Sequence, residues 1–483
     1  MTTSMKRILL AATAALLLTG CEKEFLVKEP LSVVTPDNFY KTSNDAVRAI
    51  NAAYKPLTLQ GVGQFGLDRY GNYMSGDAQS AGDDASWIQI QELTVTSDNQ
   101  NVRNSWNAFY QGIFRANLVL DRVPAIAMDA SLKQRILGEA AFLRAINYHY
   151  LVLLFGDVPL ITKPQFDVKE FLVPRTPMEE VYQQIITDLK TAETSLPRTY
   201  AAADVGRATQ GAAKAFLAKV YLYRKQWPEA AAKAKEVVDA NTYSLFDRYF
   251  DNFELATENG KESIFEIQYA SFLGGLGNAT NNYDAPRGLG FTLDGGYGYG
   301  SPTKNFVNSF APNDPRLGYS VFRAGDVFQG IPYNPAASPT GYSPRKYVVG
   351  KGANIGKSDD PKNFILMRYA DLLLMYAEAL NESGKTSEAV APVNQVRARA
   401  DVKLAPLATT LSQSQMRQAI KDERRAELGL EGHRWFDLVR WGDAATYLKS
   451  IGKTGYRDGV SDRLPIPQAE RDINPNLTQN NGY

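Results

Sequence analysis

Seven charged residues crowd one stretch near the C-terminus: Arg424, Arg425, Glu427, Glu431, Arg434, Asp437 and Arg440. On a helix Glu427 and Glu431 stand one turn apart, and Arg424 shares the face of Glu427. Carboxylates beside arginines invite an acid–base reading. The same spacing equally serves a buried or half-buried ion network that locks helices together, and that is the reading adopted for the cluster and for His433 within it. His149, the other of only two histidines, lies in a mostly apolar helical stretch and reads as a hydrogen-bonded core residue. So few imidazoles argue against histidine catalysis and multi-histidine metal sites. Gly61-Val-Gly-Gln-Phe-Gly66 matches the dinucleotide pattern on paper. Helix-like sequence precedes it and no helix clearly follows, so the strand–turn–helix context is missing. No carboxylate pair among the 52 acids stands out for glycoside hydrolysis. Neither a cofactor nor a metal is expected.

The one thiol has a different role. Met5-Lys6-Arg7 gives a positive start, Ile8 to Leu18 an apolar run, and Leu18-Thr19-Gly20-Cys21 closes it. This is the layout of a secretory signal peptide. The run is too short for the roughly 20 residues that span a bilayer. A cysteine at the cleavage point resembles the bacterial lipobox, in which the thiol is acylated and the chain is cut before it. Residues 1–20 are thus expected to be removed and Cys21 to become the lipidated first residue. The mature chain then has no thiol for a disulfide, a metal or a nucleophile.

The elements that must position any site are mainly helical. The chain has 483 residues with 53 Lys+Arg and 52 Asp+Glu. Loss of Lys6 and Arg7 leaves 51 against 52, so nothing electrostatic favours nucleic acid as a partner. Residues 22–45 read as a proline-punctuated tether leading into a first helix near 44–54. Apolar spacing predicts helices over 104–122, 131–154 and 178–195, the second ending at Phe155-Gly156. Leu217, Ala218, Tyr221, Ala230, Ala234 and Val237 stand at offsets that Tyr376, Ala377, Leu380, Ala389, Val393 and Val396 repeat 159 positions later. Small residues beside bulky ones in this order match a tetratricopeptide helix pair, which must stack on a neighbour. From about 255 to 365 glycine, proline, asparagine and tyrosine dominate, with strand-like runs such as Ile264–Tyr269. This is a loop-rich insertion, too long for a passive connection. Helices are predicted again at 365–381, 386–400 and 412–431. The expected organisation is one domain over 21–483, with a helical scaffold at about 40–254 and 365–445 around the insertion.

Several segments together resemble the SusD/RagB family of outer-membrane lipoproteins. They are Cys21-Glu-Lys-Glu-Phe-Leu26 with Pro30, Glu139-Ala-Ala-Phe-Leu-Arg144 running to Leu154-Phe-Gly-Asp-Val-Pro-Leu160, and Arg368-Tyr-Ala-Asp to Leu380 with Asn394-Gln-Val-Arg-Ala-Arg399. The most specific are Arg424-Arg-Ala-Glu-Leu428, Glu431-Gly-His-Arg-Trp-Phe-Asp-Leu-Val-Arg-Trp441, Leu464-Pro-Ile-Pro467 and Asn474-Pro-Asn-Leu477 with Asn480. The resemblance implies a scaffold of four tetratricopeptide-like units, no catalysis, and a lid on a SusC-like, TonB-dependent outer-membrane barrel. It implies capture of glycans, or in some members peptides, for uptake. Glu22 and Glu24 beside the anchor resemble a surface-export signal of such lipoproteins. A scaffold binding only another protein, and a hydrolase within the loops, are the readings from other classes.

A sugar site needs aromatic faces for C–H surfaces, with carboxylates, amides and arginines for hydroxyls. Two loop regions carry that mixture. Tyr70–Trp87 holds Tyr73, Asp77, Asp83, Asp84 and Trp87, and in the family loops between the first helix and the Trp106 helix commonly reach the ligand. Tyr283–Tyr299, preceded by Asn282, holds Tyr283, Asp284, Arg287, Asp294, Tyr297 and Tyr299. The candidate ligand-binding residues are Tyr73, Asp77, Asp84, Trp87, Tyr283, Arg287, Tyr297 and Tyr299. Trp87 leads them, because an aromatic among short polar residues has little helical core to join.

Overall fold

The computed structural model describes residues 39–82, 84–288, 290–292, 295–350 and 359–483. Cys21, Asp83 and Asp294 lie outside the described residues.

Helix α1 (Ser43–Tyr54) starts with a capping box, Thr42 accepting from Asp45 N and Asp45 returning the bond, which satisfies two otherwise orphaned donors. A short helix, α2 (Ala85–Glu92), follows, and then the long α3 (Gln100–Arg122), α4 (Ala130–Phe155) and α5 (Met178–Ser195). α4 ends where Gly156 takes φ +74°. Most of its side chains are buried, in accord with a sequence that is apolar over much of its surface. α1 lies on α3 and α4, and α3, α4 and α5 pack in sequence.

The internal repeat is a pair of helical hairpins. α6 (Gln210–Tyr223) and α7 (Trp227–Asp239) form one. α8 (Tyr369–Glu382) and α9 (Thr386–Arg397) form the other. Leu217, Ala218, Ala230, Ala234 and Val237 are buried, as are Ala377, Leu380, Ala389, Val393 and Val396. α8 packs on α7, so the two hairpins stack. Even the turns correspond: Lys225 N donates to Leu222 O at 3.0 Å, and Gly384 N to Asn381 O at 3.0 Å. Both turn residues are left-handed, Lys225 at φ +58° and Gly384 at φ +79°. α10 (Gln413–Glu427), α11 (Arg434–Trp441) and α12 (Ala444–Ser450) complete the helical body.

Some boundaries differ from the expectation: the helix expected over 412–431 ends at Glu427, which leaves Glu431 in the turn beyond it, and the one expected over 386–400 ends at Arg397. Residues 365–368, read as the start of a helix, belong to a strand. In the numbering used here β1 is Ala78–Gln79, β2 Ser263–Ile267, β3 Ser301–Pro302 and β4 Phe364–Arg368. β2 and β4 pair antiparallel, with Glu266 opposite Ile365. Every β4 side chain is buried, and a short buried apolar run does not distinguish strand from helix by periodicity. The rest of the insertion holds short helical turns and two-residue ladders, Val321–Phe322 with Ser343–Pro344 and Val327–Phe328 with Ile331–Pro332. Phe291, Phe322, Tyr333 and Val348 form a small core of their own within it.

The C-terminal charges are a buried ion network. Arg368 donates to Glu262, Glu427 and Glu431, and Arg399 to Glu262 and Glu427. Arg316 reaches Asp314, Glu423 and Glu427, and Lys346 reaches Glu431 at 2.8 Å. Next to it Arg424 joins Asp371 at 2.8 Å and Asp437 at 2.9 Å. His433 is buried as expected. His149 is buried too, edge-on to Tyr150 and Tyr223. Contrary to expectation, neither of its ring nitrogens has a hydrogen-bond partner among the described residues.

Candidate functional site

The chain from Gly61 to Met74 is a tight turn followed by helical turns at Leu67–Arg69 and a π turn at Tyr70–Met74. It is preceded by α1 rather than by a strand, so the glycines at 61, 63 and 66 make no dinucleotide cradle. They allow close packing instead: a Cβ on Gly66 would lie 2.0 Å from the carbonyl carbon of Gly61. These turns bury Arg69 and Tyr73. Arg69 pairs with Asp284 from the insertion and contacts Asp68 at 3.3 Å. Its guanidinium stands over the Tyr73 and Phe65 rings at 5.5 and 5.6 Å. Burial raises Asp284 to about 6, against the opposing pull of Arg69. The Tyr73 hydroxyl accepts from Gly300 N at 2.9 Å.

These contacts bring the two loop regions together. β1 pairs with β3, Ala78 opposite Pro302, and Arg287 donates from Nη2 to the carbonyl of Ala81. Gly82 touches Tyr299 so closely that a Cβ there would lie 2.3 Å from Cζ of the tyrosine. Within the second region, Arg287 Nε donates to Tyr297 O at 2.9 Å. Tyr299 N donates to Tyr283 O at 2.6 Å, and Gly298 N to Ala285 O at 2.9 Å. The rings of Tyr283 and Tyr297 lie 5.0 Å apart, and those of Tyr283 and Tyr299 5.4 Å. Phe65 backs Tyr283 at 4.3 Å. Tyr297 is 37% exposed; Arg287 is exposed, and Tyr283 and Tyr299 are half-buried. The result is a partly exposed face of three tyrosine rings, tilted by 41° and 54° to one another, with the Arg287 guanidinium at its edge, beside a buried ion pair.

The other four candidates lie beneath or beside this face. Trp87 is 4% exposed and stands edge-on to Tyr70 and Tyr73 at 5.9 and 6.0 Å. The expectation that it lacks a core to join is therefore corrected: the π turn supplies one. Tyr73 is fully buried with it. Asp77 is buried against Arg425, which approaches it at 2.5 and 3.1 Å and also donates to Asn305 and to the Tyr447 hydroxyl. Asp84 is the N-cap of α2, accepting from Ser86 N at 2.9 Å and Trp87 N at 3.2 Å. Such a cap contributes roughly 1 kcal/mol. In this arrangement these four hold the loop, while Tyr283, Arg287, Tyr297 and Tyr299 remain at least partly exposed. The residues that join the two regions, Arg69 and Gly82, carry no local signal, because their partners lie some two hundred positions away.

Among the described residues no group of three His, Cys, Asp or Glu side chains could hold a metal ion. No described helix is long and apolar enough to cross a membrane. A cavity of about 350 Å³ beside Tyr200 and Tyr243, and one of about 250 Å³ beside Tyr54 and Gln268, share no lining residue with the tyrosine face.

Residues 261–483 match the family described as "SusD family", and residues 34–222 match "Starch-binding associating with outer membrane". SusD-like protein P2 of Formosa agariphila is 31% identical, over 97% of this chain and 98% of its own. The chain belongs to the SusD family. The starch-binding protein SusD of Bacteroides thetaiotaomicron is 26% identical over 82% of each chain. Among solved structures, a laminarin binding SusD-like protein superposes with a TM-score of 0.80 at 30% identity, over 92% of this chain and all of that one. Residues 5–21 match a prokaryotic membrane lipoprotein lipid attachment site, which ends on Cys21. This SusD family chain is a lipid-anchored outer-membrane protein.

Proposed function

We propose that this protein captures glycans at the cell exterior on the face formed by Tyr283, Tyr297, Tyr299 and Arg287, and delivers them to a SusC-like, TonB-dependent barrel. The observation that carries the reading is the packing of two loop regions about two hundred residues apart, which leaves the tyrosine rings of the second partly exposed. Sugar C–H faces stack on such rings, and a guanidinium with nearby backbone amides meets hydroxyls. An open face suits a segment of a longer polymer better than a small enclosed ligand. Relatives bearing starch and laminarin in their names support a carbohydrate as the ligand class. Binding without chemistry fits the placement of the C-terminal carboxylates Glu427, Glu431 and Asp437, which are buried and paired with arginines.

The test is isothermal titration against polysaccharides, oligosaccharides and peptides. Binding of a glycan without turnover is the expected result. Peptide binding would place the chain with peptide-capturing members of the family, product formation would make it a hydrolase, and no binding at all would leave a protein-binding scaffold. Against the glycan that binds, Tyr297→Ala is expected to weaken affinity at least tenfold, about 1.4 kcal/mol, with an unchanged melting temperature. Cys21→Ser is expected to abolish membrane attachment and leave the affinity intact.

A further inference from the structure

The cavity of about 350 Å³ is lined both by Thr209, the N-cap of α6, and by Ser263 to Glu266 of β2. Its size lies at the lower end of small-molecule sites, which run from about 300 to 1,000 Å³. The ionisable side chains in its wall are Arg198, Arg207, Lys261 and Glu266, three cations against one carboxylate. Arg207 is taken up by structure, donating to Asp204, Glu139 and Asn51. Glu266 is buried, one oxygen accepting from Asn259 N at 3.1 Å and the other from Asn363 Nδ2 at 2.9 Å. Arg198 and Lys261 remain. Both are exposed, and neither side chain forms an ion pair or hydrogen bond with a described residue, although Lys261 lies over the Phe246 ring at 5.6 Å. The positive end of the α6 dipole adds to their field.

Unpaired cations on a surface are common; what sets these two apart is the wall they share. Thr199, Thr242 and Ser263 line it as well, and their hydroxyls bond no other described residue. Tyr200 and Tyr243 contribute rings. The Tyr200 hydroxyl donates to Ala208 O at 2.9 Å, and that of Tyr243 meets Thr209 Oγ1 at 2.9 Å, so each ring is fixed by its polar tip. Below them β2 is paired with β4, and the amides of Asn259 and Gln268 exchange hydrogen bonds at 2.8 and 2.9 Å. The wall is therefore ordered before a ligand arrives, which lowers the cost of binding. A lone phosphate would leave the hydroxyls and rings unused, and a neutral sugar would leave the cations unused. A pyranose bearing an anionic group engages all three, with ring C–H faces on tyrosine, hydroxyls on threonine and serine, and the anion on arginine and lysine.

We propose that this cavity is a further binding site, taking one or two units of an acidic sugar with its carboxylate or sulfate ester on Arg198 and Lys261. The site is independent of the tyrosine face, with which it shares no lining residue. Isothermal titration of the full mature chain with digalacturonate and with sulfated lactose, each against its neutral counterpart, tests it. At least one acidic disaccharide is expected to bind at least tenfold tighter than its neutral counterpart and to weaken as salt is raised. Which of the two binds tells a carboxylate site from a sulfate site. The double variant Arg198→Ala/Lys261→Ala is expected to lose that affinity at least tenfold at an unchanged melting temperature, since both side chains are exposed and unpaired. Tyr297→Ala is expected to leave it unchanged. Loss in Tyr297→Ala with retention in the double variant would move the acidic sugar to the tyrosine face and overturn the proposal. Equal affinities for acidic and neutral disaccharides, no binding of either acid, or inorganic phosphate binding as tightly as the disaccharides would also overturn it.

Discussion

Trp87 and Tyr297 are both aromatic residues in loop-rich sequence, and burial gives them opposite roles. Trp87 stands against Tyr70 and Tyr73 with almost no exposure. Removing such a ring from a packed core costs about 3–5 kcal/mol. Trp87→Ala is accordingly expected to lower the unfolding free energy by that amount in urea titration, with any loss of affinity following from the loosened loop. Tyr297→Ala is expected to do the reverse, weakening binding at no cost in stability. A Trp87→Ala protein as stable as its parent would reopen the tryptophan as a ligand contact. Asp284 adds a third case. Asp284→Asn leaves Arg69 buried without its main counter-charge, a loss of about 3–5 kcal/mol by analogy with other broken buried pairs. The same denaturation experiment detects it.

At the scale of elements, the repeat was legible because its signal is local. Small and bulky residues recur at fixed offsets, and each hairpin forms from about thirty consecutive residues. The hairpins also differ in one instructive place. Lys225 holds the left-handed turn position that Gly384 fills in the second copy, and a side chain in that region costs roughly 1 kcal/mol. Lys225 is exposed, so Lys225→Gly removes that strain without touching the core. An increase of about 0.5 kcal/mol in unfolding free energy is expected by chemical denaturation, glycine's own entropy offsetting part of the gain. In the second loop region the glycine-rich sequence suggests exposed rings, and only Tyr297 is exposed, Tyr283 and Tyr299 being half-buried. What was not legible was the partner of each loop. Nothing near Arg69 announces Asp284, and nothing near Asp77 announces Arg425. β4 was misread for a related reason: its five buried residues owe their conformation to β2, a hundred positions away.

At the scale of the whole molecule, buried charge sets the pH response. Burial alone would raise Asp371 and Glu427. Lys219 and Arg424 beside the first, and Arg399, Arg368 and Arg316 beside the second, overcome it and hold both well below the usual carboxylate range. Their contribution is present above about pH 4.5 and is lost as the pH falls towards their native values. Burial also lowers His149 to about 3 and His433 to about 4. Between about pH 6.5 and 4 the unfolded chain binds protons that these native imidazoles refuse, so their contribution declines as the pH falls. One such proton is about 1.4 kcal/mol per pH unit. Relative to His149→Phe, the parent protein is expected to lose stability by up to that slope between pH 6.5 and 5 in urea titrations. Parallel pH profiles for the two would contradict a buried neutral His149. The joined loops carry one more consequence, which concerns time. The Tyr73 hydroxyl finds its donor 227 positions later in the chain, and Asp77 its arginine 348 positions later. Contacts this distant form late, after the local helices. A chain leaving the cell interior from its N-terminus therefore cannot anchor Asp77, and with it the first loop region, until Arg425 and so nearly all of the chain have emerged.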